Sequence, residues 1–311
     1  MSAENLFTKQ NWIRDADKPC VSLGEPGAFD DMHLFAPAAS VQYGKTYLYY
    51  CGSQGEVEER VFRMGLNVSD DGRRFTRHLW TPVLEMGSGA SVLTPTFLRS
   101  GDGTVLREGG ELRLWFSSTT FPPGIVHTIH ETSSRDGVTW TSPSEAQVEG
   151  AYAPTVIKDG DRYLMWYADV TVDPWIFRFA ESADGISWES HPEAVIVADQ
   201  PWEADRLFYP TVLTRDGVYM MWYGSYQARD RHMTAIGFAI SEDGIHWTKH
   251  PENPVFEPNP EREWESHYTT SQSIHTQPDG SLRLYYASRT KPPFTHKYFA
   301  IGTAVWEKPF D

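Results

Sequence analysis

The chain has 311 residues, 40% of them apolar and 22% charged, proportions usual for a folded globular protein. Its 42 acidic against 27 basic residues leave a formal charge of -15, which repels phosphate backbones and argues against a nucleic-acid partner. Two cysteines, Cys20 and Cys51, are too few for a disulfide framework and lack metal-ligand spacing. No stretch approaches the roughly 20 apolar residues that cross a bilayer, and the first residues lack a secretion signal, so a cytoplasmic protein without a membrane partner is expected.

Along the chain, one pattern recurs. A strand ending in paired aromatics appears as Tyr47-Leu48-Tyr49-Tyr50, Leu112-Arg113-Leu114-Trp115-Phe116, Tyr163-Leu164-Met165-Trp166-Tyr167, Tyr219-Met220-Met221-Trp222-Tyr223 and Leu282-Arg283-Leu284-Tyr285-Tyr286. Four of these are followed by a Ser-x-Asp-Gly turn and an aromatic: Ser69 to Gly72 with Phe75, Ser134 to Gly137 with Trp140, Ser182 to Gly185 with Trp188, and Ser241 to Gly244 with Trp247. Asp-Gly before an aromatic is hairpin chemistry, since glycine takes the positive φ of the tight turn and the aromatic opens the next strand. Adding the strand that precedes each aromatic pair gives units of four strands, the blades of a propeller. The fifth unit ends at Trp306 without such a turn. Residues 11–19, with Trp12, parallel residues 246–254, with Trp247. The expected fold is therefore one all-β domain over residues 1–311, a five-bladed β-propeller whose N-terminal strand completes the last blade and hides two sheet edges.

Four inner strands carry a proline: Pro37, Pro95, Pro154 and Pro210. Before them, and before the fifth inner strand, stand Phe29-Asp30, Trp202-Glu203 and Trp264-Glu265. Blade three offers Glu149 and blade two only Ser88 and Ser91. Equivalent loops of a propeller meet near its axis, so Asp30, Asp31, Glu149, Glu203, Asp205 and Glu265 form a candidate ring of catalytic carboxylates, where crowding would raise some pKa values. His33, Arg206, His267 and Tyr268 share these loops as substrate-binding candidates, and Trp175 could stack on a sugar ring. His127 and His130 fall on opposite faces of a strand, so no metal is expected, nor is a cofactor.

Five blades, the Ser-x-Asp-Gly-x-x-Trp turns and the Trp-Tyr strands together resemble the five-bladed propeller glycoside hydrolases: arabinanases and β-xylosidases, invertases and levansucrases, and mannoside phosphorylases. The resemblance implies three carboxylates in a central pocket. Carried over by blade, Asp30 or Asp31 would be base or nucleophile, Glu203 or Asp205 a helper or acid, and Glu265 or Glu149 the other acid. One departure stands out. The arabinanase type places Asp directly before the first inner-strand proline, where this chain has Ala36; later blades have Thr94, Ala153 and Tyr209.

Three functions compete. A glycosidase-like enzyme on a short soluble saccharide or glycoside needs two carboxylates about 5 to 9.5 Å apart. A non-catalytic carbohydrate-binding propeller needs stacked aromatics with at most one acid. A lyase, isomerase or cyclase on a small metabolite needs a closed, more apolar pocket.

Overall fold

The computed structural model describes residues 6–56, 59–87, 89–120, 127–230, 233–290 and 299–310. Ser88 lies outside them. Strands in chain order are β1 (Ile13–Arg14) and β2 (Val21–Ser22); β3 (His33–Gln42), β4 (Lys45–Ser53), β5 (Arg63–Ser69) and β6 (Thr76–Arg77); and β7 (Leu93–Arg99), β8 (Arg107–Glu108), β9 (Glu111–Ser118), β10 (Thr128–Ser134) and β11 (Val148–Glu149). They continue with β12 (Ala151–Asp159), β13 (Arg162–Asp169), β14 (Ile176–Ser182) and β15 (Glu189–Ser190); β16 (Leu207–Arg215), β17 (Val218–Tyr226), β18 (Thr234–Ser241) and β19 (Thr248–Lys249); and β20 (Tyr268–Thr276), β21 (Leu282–Arg289) and β22 (Phe299–Trp306). A 3-10 turn, Glu263–Glu265, precedes β20.

Pairing within each group is antiparallel and sequential, as in β3-β4-β5-β6 and β16-β17-β18-β19. The chain is thus nearly all-β; its described strands form sheets of four, four, five and nine strands, the last joining two antiparallel units through β7 and β12. The first strands pack in cyclic order, β3 on β7, β7 on β12, β12 on β16, β16 on β20 and β20 back on β3. At one junction this contact becomes a short parallel pairing, Val156 opposite Leu98 and Ile157 opposite Arg99. The last unit takes its outer strand from the other end of the chain: Ile13 pairs with Val305, Arg14 with Ala304 and Val21 with Ile301. Trp12 packs on Trp306 at 5.7 Å and on Phe256 at 6.4 Å.

The repeated residues do repeated work. In each Ser-x-Asp-Gly turn the serine hydroxyl accepts the glycine N–H, at 2.9, 2.9, 2.8 and 2.9 Å for Gly72, Gly137, Gly185 and Gly244. The aspartate then caps two following N–H groups, as Asp71 does for Arg73 and Arg74. The glycine carbonyl is left to accept a bond from the preceding unit. Tyr285 donates to Gly72, Tyr49 to Gly137, Trp115 to Gly185 and Trp166 to Gly244, at 2.8 to 3.2 Å. These donors are the first members of the aromatic pairs, and all are fully buried. Trp222 faces the unit that has no such turn, and its indole N–H donates instead to Gln10 Oε1 at 2.9 Å. A buried aromatic N–H or O–H needs an acceptor, and the N-terminal segment supplies the missing one.

Both cysteines are free, and Cys51 is fully buried. Deleting residues 1–22 would strip the outer strand from β22, the acceptor from Trp222, and Asp15 from its buried pairing with Arg283. The truncated chain should melt at least about 10 °C lower in calorimetry. A cooperative transition at the parent temperature would show that closure contributes little.

Candidate functional site

Each first strand slips register by one residue against its neighbour, between Phe35 and Ala38, Leu93 and Thr96, Tyr152 and Thr155, Phe208 and Thr211, and Thr270 and Ser273. At each bulge sits a non-glycine residue in the left-handed region: Ala36 (φ 52°), Thr94 (47°), Ala153 (52°), Tyr209 (56°) and Ser271 (53°). Such conformations are uncommon outside glycine, and bulges that re-aim side chains cluster at functional sites. The resemblance puts an aspartate at the first of these positions; the chain places no acid at any of the five. The fifth bulge, Ser271-Gln272, has no proline to reveal it.

On the side of the bulges where the strands begin lies a cavity of about 310 Å³. The residue directly before the bulge lines it in four units, Phe35, Leu93, Tyr152 and Phe208, and the bulge residue Tyr209 forms part of its floor. Tyr226 and Tyr268 add phenols, and Phe62, Phe299 and Trp175 add rings. His33, a sequence candidate, belongs here, its ring stacked on Phe299 at 3.9 Å. Trp175 and Arg206 belong here too, the guanidinium 4.6 Å over the indole and donating to Asp173 at 3.2 Å. Arg60 and His127 complete the polar lining. Behind Tyr268, the buried guanidinium of Arg289 stacks 4.3 Å from its ring.

Electrostatically the cavity is rich in donors. Burial pushes the Tyr152, Tyr209 and Tyr268 phenols well above their usual range, so they stay protonated. The Tyr152 and Tyr209 hydroxyls are bonded to each other at 3.0 Å. Burial also lowers His127 to about 4, leaving it neutral at physiological pH.

None of the six candidate carboxylates lines this cavity. Asp30, Glu203 and Glu265 are buried, and each is clasped within its own unit. Each accepts a bond from the second tyrosine of an aromatic pair: Tyr50 at 2.7 Å, Tyr223 at 2.6 Å and Tyr286 at 2.6 Å. Each also pairs with a cation of the outermost strand: Arg77 at 2.8 Å, Lys249 at 2.6 Å and Arg14 at 2.8 Å. A glycine of the third strand makes room. A Cβ on Gly65, Gly237 or Gly302 would lie 2.4 to 2.6 Å from the tyrosine or the loop aromatic. These acids therefore sit over the body of each sheet instead of converging on the axis. The acid, the cation and the glycine are present or absent together, whereas unit three keeps the tyrosine, Tyr167, bonded to the Ser190 hydroxyl at 3.1 Å. Units two and three, which lack the aromatic-acid pair, have His130 and Arg178 opposite the second aromatic and Ser142 and Ser190 in place of the cation.

The remaining candidates are dispersed. Glu149 is exposed on β11. Asp205 lies 3.8 Å from Arg206. Asp31 accepts the Gly27 N–H at 2.7 Å, while its other oxygen is buried without a partner. His267 bonds to the Ser266 hydroxyl at 2.8 Å, outside the cavity. Sequence reasoning missed most of the aromatic lining and placed His127 in a metal question. The signal available was position, since the residue before each inner-strand bulge faces the cavity. Among the described residues, no group of three or more His, Cys, Asp or Glu could hold a metal ion, and no helix is long and apolar enough to cross a membrane.

Comparison with known proteins agrees with the resemblance. Residues 155–291 match the glycosyl hydrolases family 32 N-terminal domain. An uncharacterised protein of Mycobacterium tuberculosis (strain CDC 1551 / Oshkosh), MT1551, is 28% identical over 244 residues, covering 73% of this chain and 77% of that protein. A solved glycoside hydrolase superposes with a TM-score of 0.76 at 16% identity, covering 99% and 96% of the two chains. Another, from work on the GH130 mannoside phosphorylases and hydrolases that target beta-1,2 mannosidic linkages in Candida mannan, gives 0.75 at 16% identity, covering 97% and 96%. At such identities the shared property is the fold.

If the clasp is structural, Glu265→Gln leaves Arg14 and Arg262 facing a neutral amide and should cost about 3 kcal/mol. Tyr286→Phe should cost about 1 kcal/mol. Urea denaturation of both variants checks this. Wild-type stability for Glu265→Gln would return the residue to the list of catalytic candidates.

Proposed function

We propose that the whole chain is one closed five-bladed β-propeller, and that its aromatic cavity binds a short saccharide or glycoside without cleaving it through a carboxylate pair. One observation carries the reading. The cavity lining combines stacked rings, protonated phenols and guanidinium groups, and no Asp or Glu is among its described residues. Sugar rings offer apolar C–H faces to aromatic planes and hydroxyls to polar groups, and pockets of this make-up hold small ligands by packing, with a few polar groups setting orientation. The likeness to glycoside hydrolases supports a saccharide as the ligand class, whereas the described lining residues do not include the two carboxylates that hydrolysis requires.

A second reading, a glycosidase-type enzyme, has Asp31 in its favour. Its buried carboxylate oxygen lacks a partner, two residues before the cavity residue His33. An orphaned buried oxygen is costly unless a ligand or water satisfies it.

Titrating the protein with a panel of aryl glycosides and short saccharides separates the two, following tryptophan fluorescence and release of the aryl group together. Saturable quenching without turnover is expected, with affinity falling about tenfold or more in Trp175→Ala. Turnover that disappears in a folded Asp31→Asn variant would establish the hydrolase instead.

A further inference from the structure

Beyond the bulges, on the opposite side of Tyr209 from the aromatic cavity, the five first strands enclose a channel space of about 40 Å³. Its walls are small or hydroxylated, with Thr96, Thr155, Thr211 and Ser273 among them, and it contains one charged group, Arg99 at the end of β7. Arg99 is 6% exposed. Its guanidinium donates to the Ile274 carbonyl at 3.2 Å and to Thr155 Oγ1 at 2.8 Å, and its Nε is buried without an acceptor. Among the described residues no carboxylate pairs with it. Asp102, three residues on, is occupied by the Ser100 hydroxyl and the Thr104 N–H.

An ionised group removed from water without a counter-charge is one of the costliest arrangements a fold can contain, and structures resolve it with an ion pair or a bound ion. Burial lowers Arg99 to about 10, which leaves it a cation at neutral pH. The neighbouring charges do not neutralise it. His275 is held near 4 by burial and by the positive fields of Arg283 and Arg99, and Arg283 already has Asp15 as partner. Two hydroxyls of the channel wall, Thr155 against the guanidinium and Ser273, have protons to give. Thr155 accepts from Arg99 and Ser273 accepts from the Ala39 N–H, so each can donate into the channel.

We propose that this channel is a binding site for a small monovalent anion of chloride size, held by the Arg99 guanidinium and the Thr155 and Ser273 hydroxyls. A space of this volume admits a chloride and one or two waters, and nothing as large as a sugar. The ion balances a charge that no described carboxylate pairs with, and it ties together units two, three and five, which supply Arg99, Thr155 and Ser273. The site is independent of whatever the aromatic cavity binds.

The test uses the full chain in chloride, bromide or gluconate at equal ionic strength. Chloride and bromide should raise the Tm by roughly 2–4 °C over gluconate in a saturable way, as ligand linkage requires. Arg99→Met should abolish that difference. Crystals grown in bromide should show an anomalous peak beside Arg99, a readout that stands even if the variant fails to fold. Equal Tm values in all three salts, with channel density that carries no anomalous signal, would mean water alone and would overturn the proposal.

Discussion

The hydrogen bond from the first aromatic of each pair to the turn glycine of the next unit is the constraint on which the remaining structure depends. It is lateral, linking units that share almost no strand pairing, and it runs in one direction round the ring. A buried indole or phenol cannot leave its polar hydrogen unsatisfied. The turn must therefore present a carbonyl at that point, and the tight Ser-x-Asp-Gly geometry does so. Where the turn is missing, Gln10 replaces it. The N-terminus is thus held by a side-chain acceptor as well as by strand pairing, and the same segment contributes the clasp residue Arg14 and the partner of Arg283, Asp15.

The second aromatic of each pair works within its own unit. Tyr50, Tyr223 and Tyr286 donate to a buried acid that is also paired with an outer-strand cation, which pins the loop leading into the first strand over the sheet. Replacing a buried pair by apolar residues is often neutral, but breaking one is expensive, so the clasp contributes chiefly by fixing where the loop goes. Those loops deliver His33, Arg206 and Tyr268 to the cavity wall. The acids therefore act on the cavity at one remove, through the backbone they hold.

The repeat, the turns and the N-terminal match to residues 246–254 were legible because each is a local pattern with a local cause. The cavity was less legible. Its rings come from many separate segments, and they meet only because five bulges near φ 50° turn the strands at one level. Proline marked four of those bulges, and the fifth, at Ser271, carries no mark. Symmetry alone leaves the position of the carboxylates open, and none of the six is among the described residues lining the cavity. Equivalent positions in a cyclic repeat are equivalent with respect to the axis and equally so with respect to the body of each sheet, and repetition alone does not choose between them. The choice was written elsewhere in the chain. Phe75-x-Arg77, Trp247-x-Lys249 and Trp12-x-Arg14 each put a cation two residues after the outer-strand aromatic in the three units that have the aromatic-acid pair, and the other two units have serine there. An acid that travels with a cation and a glycine inside its own repeat has its partners within that repeat.

The most direct test of this division between clasp and cavity is a crystal structure with a short glycoside bound. The sugar ring should pack against Trp175 and Tyr152, and no carboxylate of Asp30, Glu203 or Glu265 should lie within hydrogen-bond reach of the glycosidic oxygen. A glycosidic bond flanked by two of the candidate carboxylates about 5 to 9.5 Å apart would contradict the account and restore a hydrolytic centre.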